Sequence, residues 1–237
     1  MSLWRLCGHD GTTGRALALD GPQILADARA DTADAALASL DGSGPVLRVG
    51  EGAGTALPAP LLPERLGPGL PGLTQNRPPD CLDGWVRLVL IGCADHDGIA
   101  CVITPMLAHW VHLSAGEAVS CQSFLTPRLA TALNAADTAD ADALADTLSR
   151  PERLAAHLRG AQVQGAPAAI TGHLLGAELA SARPYWLGQS ITLIGPDPAT
   201  TPRATALMAQ GVPVTRTDPD TLLAPAIAAL ATRVNQS

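Results

Sequence analysis

The last third of the chain alternates between strand-like and helix-like segments, and this alternation constrains the fold most strongly. Residues 190–194 and 212–216 predict strands, whereas residues 202–210 and 220–234 predict helices. A strand that returns beside its neighbour through one helix runs parallel to it, because the crossover restores the strand direction. The sequence therefore predicts an α/β fold with one parallel strand pair near its end.

The start of the chain predicts a small sheet that is followed by a helix. Residues 4–7, 16–19 and 23–28 have strand character, and a glycine-containing turn separates each of these runs from the next. Residues 32–40 have helical spacing, with Thr32 as the expected N-cap and Gly42 as the stop.

The middle of the chain combines segments that predict loops, strands and helices. Residues 50–79 are dense in Gly and Pro and predict loops with short extended pieces. Residues 85–93 are almost continuously apolar, and periodicity leaves strand and helix open for them. The remaining predicted strands are 99–103, 110–113 and 119–125, and the remaining predicted helices are 127–134, 141–160 with a break at Pro151, and 169–185.

Composition limits the classes of function. The 237 residues are 47% hydrophobic and 16% charged, which is typical of a folded globular protein. The formal net charge is −7 and every one of the 15 basic residues is Arg, so nucleic-acid binding is not expected and any phosphate contact must come from Arg, backbone N–H groups or a metal.

The expected location is the cytoplasm. No run of 18 apolar residues predicts a membrane-spanning helix, and the N-terminus lacks the apolar region of a signal peptide. The five cysteines form no C-x-x-C pair and are expected to be reduced and buried.

Several motifs in the C-terminal half carry a resemblance. The stretch Thr171-Gly172-His173-Leu174-Leu175-Gly176-Ala177-Glu178 continues to Arg183 and resembles the S-G-L-L-I-G-A-E-x-A-S-x-R helix of the 2-dehydro-3-deoxygalactonokinase family. Residues 191–195, 208–214 and Asp220 follow in the family's order, and residues 70–75 and 78–80 resemble its V-P-G-L-S-Q and P-P-D segments. The resemblance is dense over about the last 70 residues and patchy before them.

The resemblance implies a fold and an activity. The fold would be α/β, the two-lobed actin-like (ribonuclease-H-like) sugar-kinase architecture, with a reduced N-terminal lobe at residues 1–97 and a C-terminal lobe at residues 98–237. In the family, ATP lies between the lobes and Mg²⁺ assists transfer of the γ-phosphoryl group to the terminal hydroxyl of 2-dehydro-3-deoxygalactonate. The implied partner is a small sugar acid, and the sequence is compatible with a homo-oligomer.

The family's phosphate hairpin, D-W-G-T-[ST]-x-x-R-A-W, corresponds here to residues 9–17. A strict alignment places His9 at the family's Asp and Asp10 at its Trp. With a shift of one residue, the resemblance assigns Asp10 to catalysis and to Mg²⁺, and it assigns Arg15 to catalysis. It assigns Gly11, Thr12 and Thr13 to the phosphates of ATP. The alternative is an ordinary Asp-Gly-Thr-Thr-Gly hairpin turn.

Further candidates come from other family segments. Gly172 and Gly176 lie on one helix face, where they either contact the nucleotide or pack one helix against another, and Gly195 follows the next strand toward the nucleotide. Asp80 and Asp83 are the candidate general bases, with a turn residue or a helix cap as the alternative. His109 and His112 would point to opposite faces of a strand, so core or solvated histidines are favoured over a metal pair.

Four polar motifs of the family differ in this chain. The phosphate hairpin is shifted, P-G-T-H-S-K-W-V reads as residues 105–111 without its Gly, Thr and Lys, and M-R-G-E-E-T-Q and T-G-E-L have lost their acids at residues 82–88 and 126–129. Two hypotheses follow: a 2-dehydro-3-deoxygalactonokinase with a realigned phosphate loop, or a degenerate paralogue that binds a nucleotide or sugar acid without turnover.

Overall fold

The computed structural model describes residues 3–67 and 69–234 and divides the chain into two compact units. The first unit comprises Met1–Asp97, His112–Cys121 and Pro219–Ser237, and the second comprises Gly98–Val111 and Gln122–Asp218. In this division the end of a β-hairpin and the last helix group with the N-terminal residues, and the lobes at residues 1–97 and 98–237 stay a prediction.

The first unit is built on a five-stranded sheet. Its strands follow the order β3-β2-β1-β4-β7, in which β1, β2 and β3 form an antiparallel meander and β4 and β7 run parallel to β1. A smaller sheet, β5-β8-β9, lies in the Gly/Pro-rich segment. The elements are β1 Leu3–His9, β2 Gly14–Asp20, β3 Gln23–Ala30, α1 Ala33–Ala38, β4 Val46–Val49, β5 Thr55–Ala56, β6 Ala59–Pro60, β7 Gly69–Leu70, β8 Leu73–Asn76, β9 Pro79–Leu82 and α2 Gly84–Ile91.

The predicted start of the chain is confirmed. The three strands have the expected positions, and the Thr32 hydroxyl accepts a hydrogen bond from the Ala35 N–H as the N-cap of α1. The apolar run that periodicity left open is helix α2, which is buried along its whole length and capped by Asp83.

Arg87 organises the Gly/Pro-rich segment of the first unit. Its buried guanidinium donates to the carbonyl oxygens of Leu61, Pro60 and Pro71, each at 2.9 Å, and to the Thr55 hydroxyl at 3.3 Å. Burial lowers the pKa of Arg87 to about 10. These bonds satisfy carbonyl groups that loops would otherwise leave unpaired, which explains how this segment orders with very short strands.

The second unit consists of helices packed on a sheet whose strands follow the order β14-β13-β10-β11-β12. The outer end of the β11–β12 hairpin, His112–Cys121, belongs to the first unit. At that outer end, β6 pairs antiparallel with the start of β12. The elements are β10 Gly98–Ile103, β11 Ala108–Ser114, β12 Glu117–Phe124, α3 Thr126–Ala132, α4 Ala141–Ser149, α5 Leu154–Gln164, α6 Pro167–Ser181, α7 Arg183–Trp186, β13 Ile191–Ile194, α8 Asp197–Ala209 and β14 Val214–Thr217, and α9 Pro219–Val234 returns to the first unit.

The predicted parallel pair is confirmed, since β13 runs parallel to β14 and also to β10. Two helix predictions need correction. The 141–160 helix is broken at Pro151 as expected, but the 169–185 helix ends at Ser181 and is followed by the short α7. Helix α8 begins at Asp197, five residues earlier than expected, because Pro198 is compatible with a first helical turn.

The core of the second unit surrounds the fully buried Trp110 and Leu179, with Trp186 and Leu207 packed on the same cluster. The cysteine prediction holds for Cys7, Cys93, Cys101 and Cys121, which are buried and free, whereas Cys81 is exposed. Among the described residues, no helix combines the length and apolar character needed to cross a bilayer.

Candidate functional site

The second unit contains a cavity of about 460 Å³. It opens where the end of β10, helix α3, helix α6 and the start of α8 approach one another. This volume lies in the range of small-molecule pockets. The lining residues are Ile103, Thr104, Pro105, Thr126, Pro127, Ala130, Thr131, Asn134, Ala135, Ala136, Asp137, Thr171, Leu174, Leu175, Pro196, Pro198, Ala199, Pro202 and Arg203.

The cavity walls are mostly apolar, with a few polar groups. Leu174 and Leu175 of α6 and the prolines of the α8 start supply apolar surface, whereas Asn134, Asp137 and Arg203 supply donors and acceptors. Such a composition suits a ligand with a planar apolar body and several hydrogen-bonding edges, as in a nucleoside.

Arg203 and Glu178 form a buried ion pair beside this cavity. Arg203 Nε and Nη2 donate to the two carboxylate oxygens of Glu178 at 3.0 and 2.9 Å, and Nη1 donates to the carbonyl oxygen of Ala199 at 2.9 Å. Trp110 Nε1 also donates to Glu178, at 3.3 Å. This bidentate geometry fixes the orientation of the Arg203 guanidinium at the cavity wall.

Asn134 terminates α3 at the cavity with an unusual backbone. Its φ of 51° lies in the left-handed region, where Asn is one of the more tolerant residues after Gly. The next N–H, of Ala135, donates to the carbonyl oxygen of Ala130 at 2.9 Å and closes the helix end. This backbone places Asn134 at the cavity lining.

Residues 104–107 form a turn that is closed by its own hydrogen bonds, at the start of the segment that corresponds to the family's P-G-T-H-S-K-W-V motif. The Thr104 hydroxyl oxygen accepts hydrogen bonds from the N–H groups of Leu107 at 3.0 Å and Met106 at 3.3 Å, and the Thr104 N–H donates to the Leu107 carbonyl at 2.9 Å. The N–H groups that would face an anion are therefore satisfied within the turn.

The Asp10–Thr13 hairpin turn in the first unit is closed in the same way. Asp10 Oδ1 accepts hydrogen bonds from the N–H groups of Thr12 and Thr13, both at 2.9 Å, and the Gly11 N–H donates to His9 Nδ1 at 3.1 Å. Gly11 supplies the positive φ of 93° that the turn requires. The structure thus shows the hairpin turn that the sequence left as the alternative, with its own carboxylate in the position of an anion.

Arg15 and Asp10 belong to one ion-pair cluster of the first unit. Buried Arg15 binds Asp27 through Nε at 3.0 Å and Nη2 at 2.6 Å, and binds Asp220 of α9 through Nη1 at 2.5 Å. Arg29 binds Asp10 Oδ2 and lies 3.8 Å from Asp220. The donors of Arg15 are thus directed to carboxylates, and its expected role in catalysis has no support from these contacts.

The residues around Asp10 do not fit a divalent cation as they stand. One carboxylate oxygen accepts two N–H groups and the other binds Arg29, so neither faces an open coordination position. Burial alone would raise the pKa of Asp10, but the N–H groups of Thr13 and Thr12 together with Arg29 outweigh it and hold the pKa below its ordinary value. Over residues 3–67 and 69–234, no group of three metal-ligating side chains is present.

The carboxylates of the two candidate general bases, Asp80 and Asp83, each accept a hydrogen bond from a backbone N–H group. The Asp83 carboxylate caps α2 by accepting from the Val86 N–H at 2.8 Å, and Asp80 accepts from the Cys81 N–H at 2.8 Å. The cap alternative therefore describes Asp83.

Gly172 and Gly176 pack two helices together. A β-carbon on Gly176 would lie 2.5 Å from the Leu144 carbonyl oxygen, and one on Gly172 would collide with the Asp140 carbonyl, so both glycines face α4. The helix packing that the sequence left as an alternative is thus present at both glycines, their contact with a nucleotide stays a prediction, and the adjacent Thr171 and Leu175 line the cavity. Gly195 follows β13 beside Ile103 and immediately precedes the lining residue Pro196.

The histidines make polar contacts within the fold. His109 is buried with Nδ1 2.7 Å from the Ser123 hydroxyl, and His112 is exposed. His157 and His173 both place Nδ1 2.8 Å from the buried Thr147 hydroxyl, and their rings lie 4.8 Å apart.

Sequence reasoning missed the cavity residues Arg203, Asn134 and Asp137. One signal was present for Arg203: it is the sole charged residue between Thr200 and Gln210, and the other buried residues of that stretch are apolar. Asn134 and Asp137 gave no comparable signal, because short polar residues after a helix are typical of any loop.

The fold is that of the actin-like ATPases. Component A of (R)-2-hydroxyglutaryl-CoA dehydratase from Acidaminococcus fermentans superposes with a TM-score of 0.54 at 10% identity, over 100% of this chain and 99% of that one. The activator of 2-hydroxyisocaproyl-CoA dehydratase from Clostridium difficile, with bound ADPNP, gives 0.51 at 10% identity, over 99% and 97%.

More specific similarities point to the sugar-acid kinases. A candidate 2-dehydro-3-deoxygalactonokinase from Sinorhizobium meliloti superposes with a TM-score of 0.77 at 22% identity, over 99% of each chain. The model of the 2-keto-3-deoxy-galactonokinase family matches residues 130–230. The resemblance to this family is thereby confirmed, and with it the α/β actin-like fold. Comparison with curated proteins gives no significant match.

Proposed function

We propose that the chain is a nucleotide-dependent sugar-acid kinase that transfers the γ-phosphoryl group of ATP to the terminal hydroxyl of 2-dehydro-3-deoxygalactonate. The observation that carries the proposal is the position of the cavity. Most of its lining, from Ala130 to Arg203, falls inside the stretch that matches the kinase family. The apolar walls and the polar groups of Asn134, Asp137 and Arg203 suit the base and ribose of ATP.

Two properties of the chain support nucleotide use at this cavity. The volume of about 460 Å³ is sufficient for a nucleoside, and much of the wall comes from helices α3, α6 and α8, which hold their shape better than loops. A protein of the same fold has been solved with ADPNP.

A second candidate function is nucleotide or sugar-acid binding without turnover. It is favoured by the closed Asp10–Thr13 and Thr104–Leu107 turns, whose N–H groups bond to side chains of the same turns. Phosphoryl transfer depends on donors and cations that neutralise the developing charge, and the bonded N–H groups of these turns are not directed to a ligand in the described conformation.

The experiment that separates the candidates is a coupled ADP-release assay with 2-dehydro-3-deoxygalactonate, run beside calorimetric titration with ATP and with the sugar acid. Substrate-dependent ADP release that collapses in Asp10→Ala supports the kinase and requires the turn to open. Binding of either ligand without turnover supports the second candidate. No binding and no turnover would contradict both.

A further inference from the structure

Two histidines and one buried threonine join three helices of the second unit. Thr147 lies on α4, His157 on α5 and His173 on α6, and both imidazoles place Nδ1 2.8 Å from the Thr147 hydroxyl oxygen. Thr147 is fully buried, and the centroids of the two rings lie 4.8 Å apart. The proposed function makes no use of these three side chains, which form the threonine–histidine cluster.

The Thr147 hydroxyl can satisfy both rings in only one way. It carries a single proton, so it donates to one Nδ1 atom and must accept from the other. Among the described residues, the hydroxyl has no third hydrogen-bond partner. One imidazole is therefore neutral with its proton on Nε2, whereas the other carries a proton on Nδ1 and is either neutral or charged.

Asp146 indicates which imidazole is which. Its Oδ2 lies 3.3 Å from His157 Nε2, so a proton on that nitrogen faces the carboxylate. His157 Nδ1 then accepts from the Thr147 hydroxyl, and His173 Nδ1–H donates to the hydroxyl oxygen. The geometry assigns the Nε2–H tautomer to His157 and the Nδ1–H form to His173.

The surrounding charges do not favour a second proton on the cluster. Burial and the neighbouring His157 lower the pKa of His173, and they outweigh the Ala143 backbone and Asp140, which raise it. Asp146 also binds Arg150, so its charge is shared. On α6 itself, the Glu178 carboxylate is paired with Arg203. The other charged residues of α3, α4, α5, α7 and residues 151–153 are exposed, namely Arg128, Asp142, Glu152, Arg153, Arg159 and Arg183.

We propose that the threonine–histidine cluster is an acid-sensitive latch between α4, α5 and α6, which stays closed with one imidazole charged and opens when both are charged. A second proton would put N–H groups on both Nδ1 atoms and leave the buried Thr147 proton without an acceptor. It would also place two cations about one ring separation apart, where they repel. Helix α6 lines the cavity as well, so the latch lies on a helix of the candidate site.

The latch has a defined sign with pH. An imidazole that must stay neutral in the fold contributes stability above its unfolded-state pKa of about 6.5, and this stability is lost as the pH falls below that value. For one such histidine, the unfolding equilibrium constant rises about tenfold more between pH 7.5 and pH 5.5 than it would without the group. The inference concerns helix packing and does not rest on the proposed kinase activity.

The first test is the tautomer of each ring, measured on the wild-type chain by proton–nitrogen correlation NMR of the imidazoles at pH 7.5. The expected result is Nε2–H for His157 and Nδ1–H for His173. Nε2–H on both rings would overturn the inference, because one hydroxyl proton cannot serve two Nδ1 acceptors.

The second test is urea denaturation at pH 7.5 and pH 5.5, followed by circular dichroism. His173→Gln removes one ring, so the rise in its unfolding equilibrium constant should be about tenfold smaller than that of wild type. Thr147→Ser keeps the hydroxyl and should retain the wild-type rise, and so should His112→Gln, which changes an exposed histidine outside the cluster. Equal rises for wild type and His173→Gln would overturn the inference.

Discussion

The ion pair between Glu178 and Arg203 permits the sharpest stability prediction. Glu178→Gln keeps the shape of the side chain but removes the charge that faces Arg203. The two side chains are 0% and 5% exposed, so water cannot replace the lost partner. Leaving one member of a buried pair uncompensated costs about 3–5 kcal/mol. For a chain of this size, that loss corresponds to a fall in Tm of roughly 6–20 °C.

The assay is urea denaturation followed by circular dichroism, with Asp197→Asn as the matched control. Asp197 also pairs with an arginine, Arg216, but its side chain is 91% exposed, and such pairs contribute about 0–1 kcal/mol. Adding Arg203→Met to Glu178→Gln should recover part of the loss, since the unpaired charge is then removed. If Glu178→Gln costs no more than Asp197→Asn, the pair does not support the cavity wall as described.

Three further predictions concern packing, pH and thiol chemistry. Gly176→Ala should destabilise the fold by about 1–3 kcal/mol in urea denaturation, because its β-carbon meets α4, whereas Gly160→Ala, with no atom within 4 Å, should be neutral or stabilising by up to about 1 kcal/mol; equal effects would contradict the packing. The folded-state pKa of Asp10 lies below the unfolded value near 3.9, so its stabilisation is full above about pH 5 and is lost as the pH falls through the folded-state pKa. Asp10→Asn should flatten that acid limb of a stability–pH profile, and an unchanged limb would refute the assignment. A thiol reagent at pH 8 should modify Cys81 rapidly and the other four cysteines only on unfolding, and a second fast thiol would contradict their burial.

The sequence predicted elements whose signals are local. The Thr32 cap, the break at Pro151 and the parallel pair of β13 and β14 each follow from a few neighbouring residues, and all are present. Helix α8 begins five residues before its predicted start, and Pro198 is compatible with the first turn of a helix.

The site depended on contacts that no local pattern reveals. Glu178 and Arg203 are 25 residues apart, and Arg15 and Asp220 are 205 apart. The family motif indicated where a phosphate turn belongs, but it did not reveal that the Asp10 carboxylate accepts the N–H groups of that turn and binds Arg29 of β3. Gly172 and Gly176 show the same limit, since small residues at this spacing fit both a ligand and a neighbouring helix.

The central claim is that the second unit binds a nucleotide in its cavity, and calorimetric titration with ATP tests it most directly. Ala130→Trp places an indole in the cavity lining, and Ala132→Trp places the same group on an exposed position of the same helix, α3. The account predicts that wild type and Ala132→Trp bind ATP alike, and that Ala130→Trp binds at least about tenfold more weakly. Equal affinity of both variants, or no ATP binding by wild type, would contradict it.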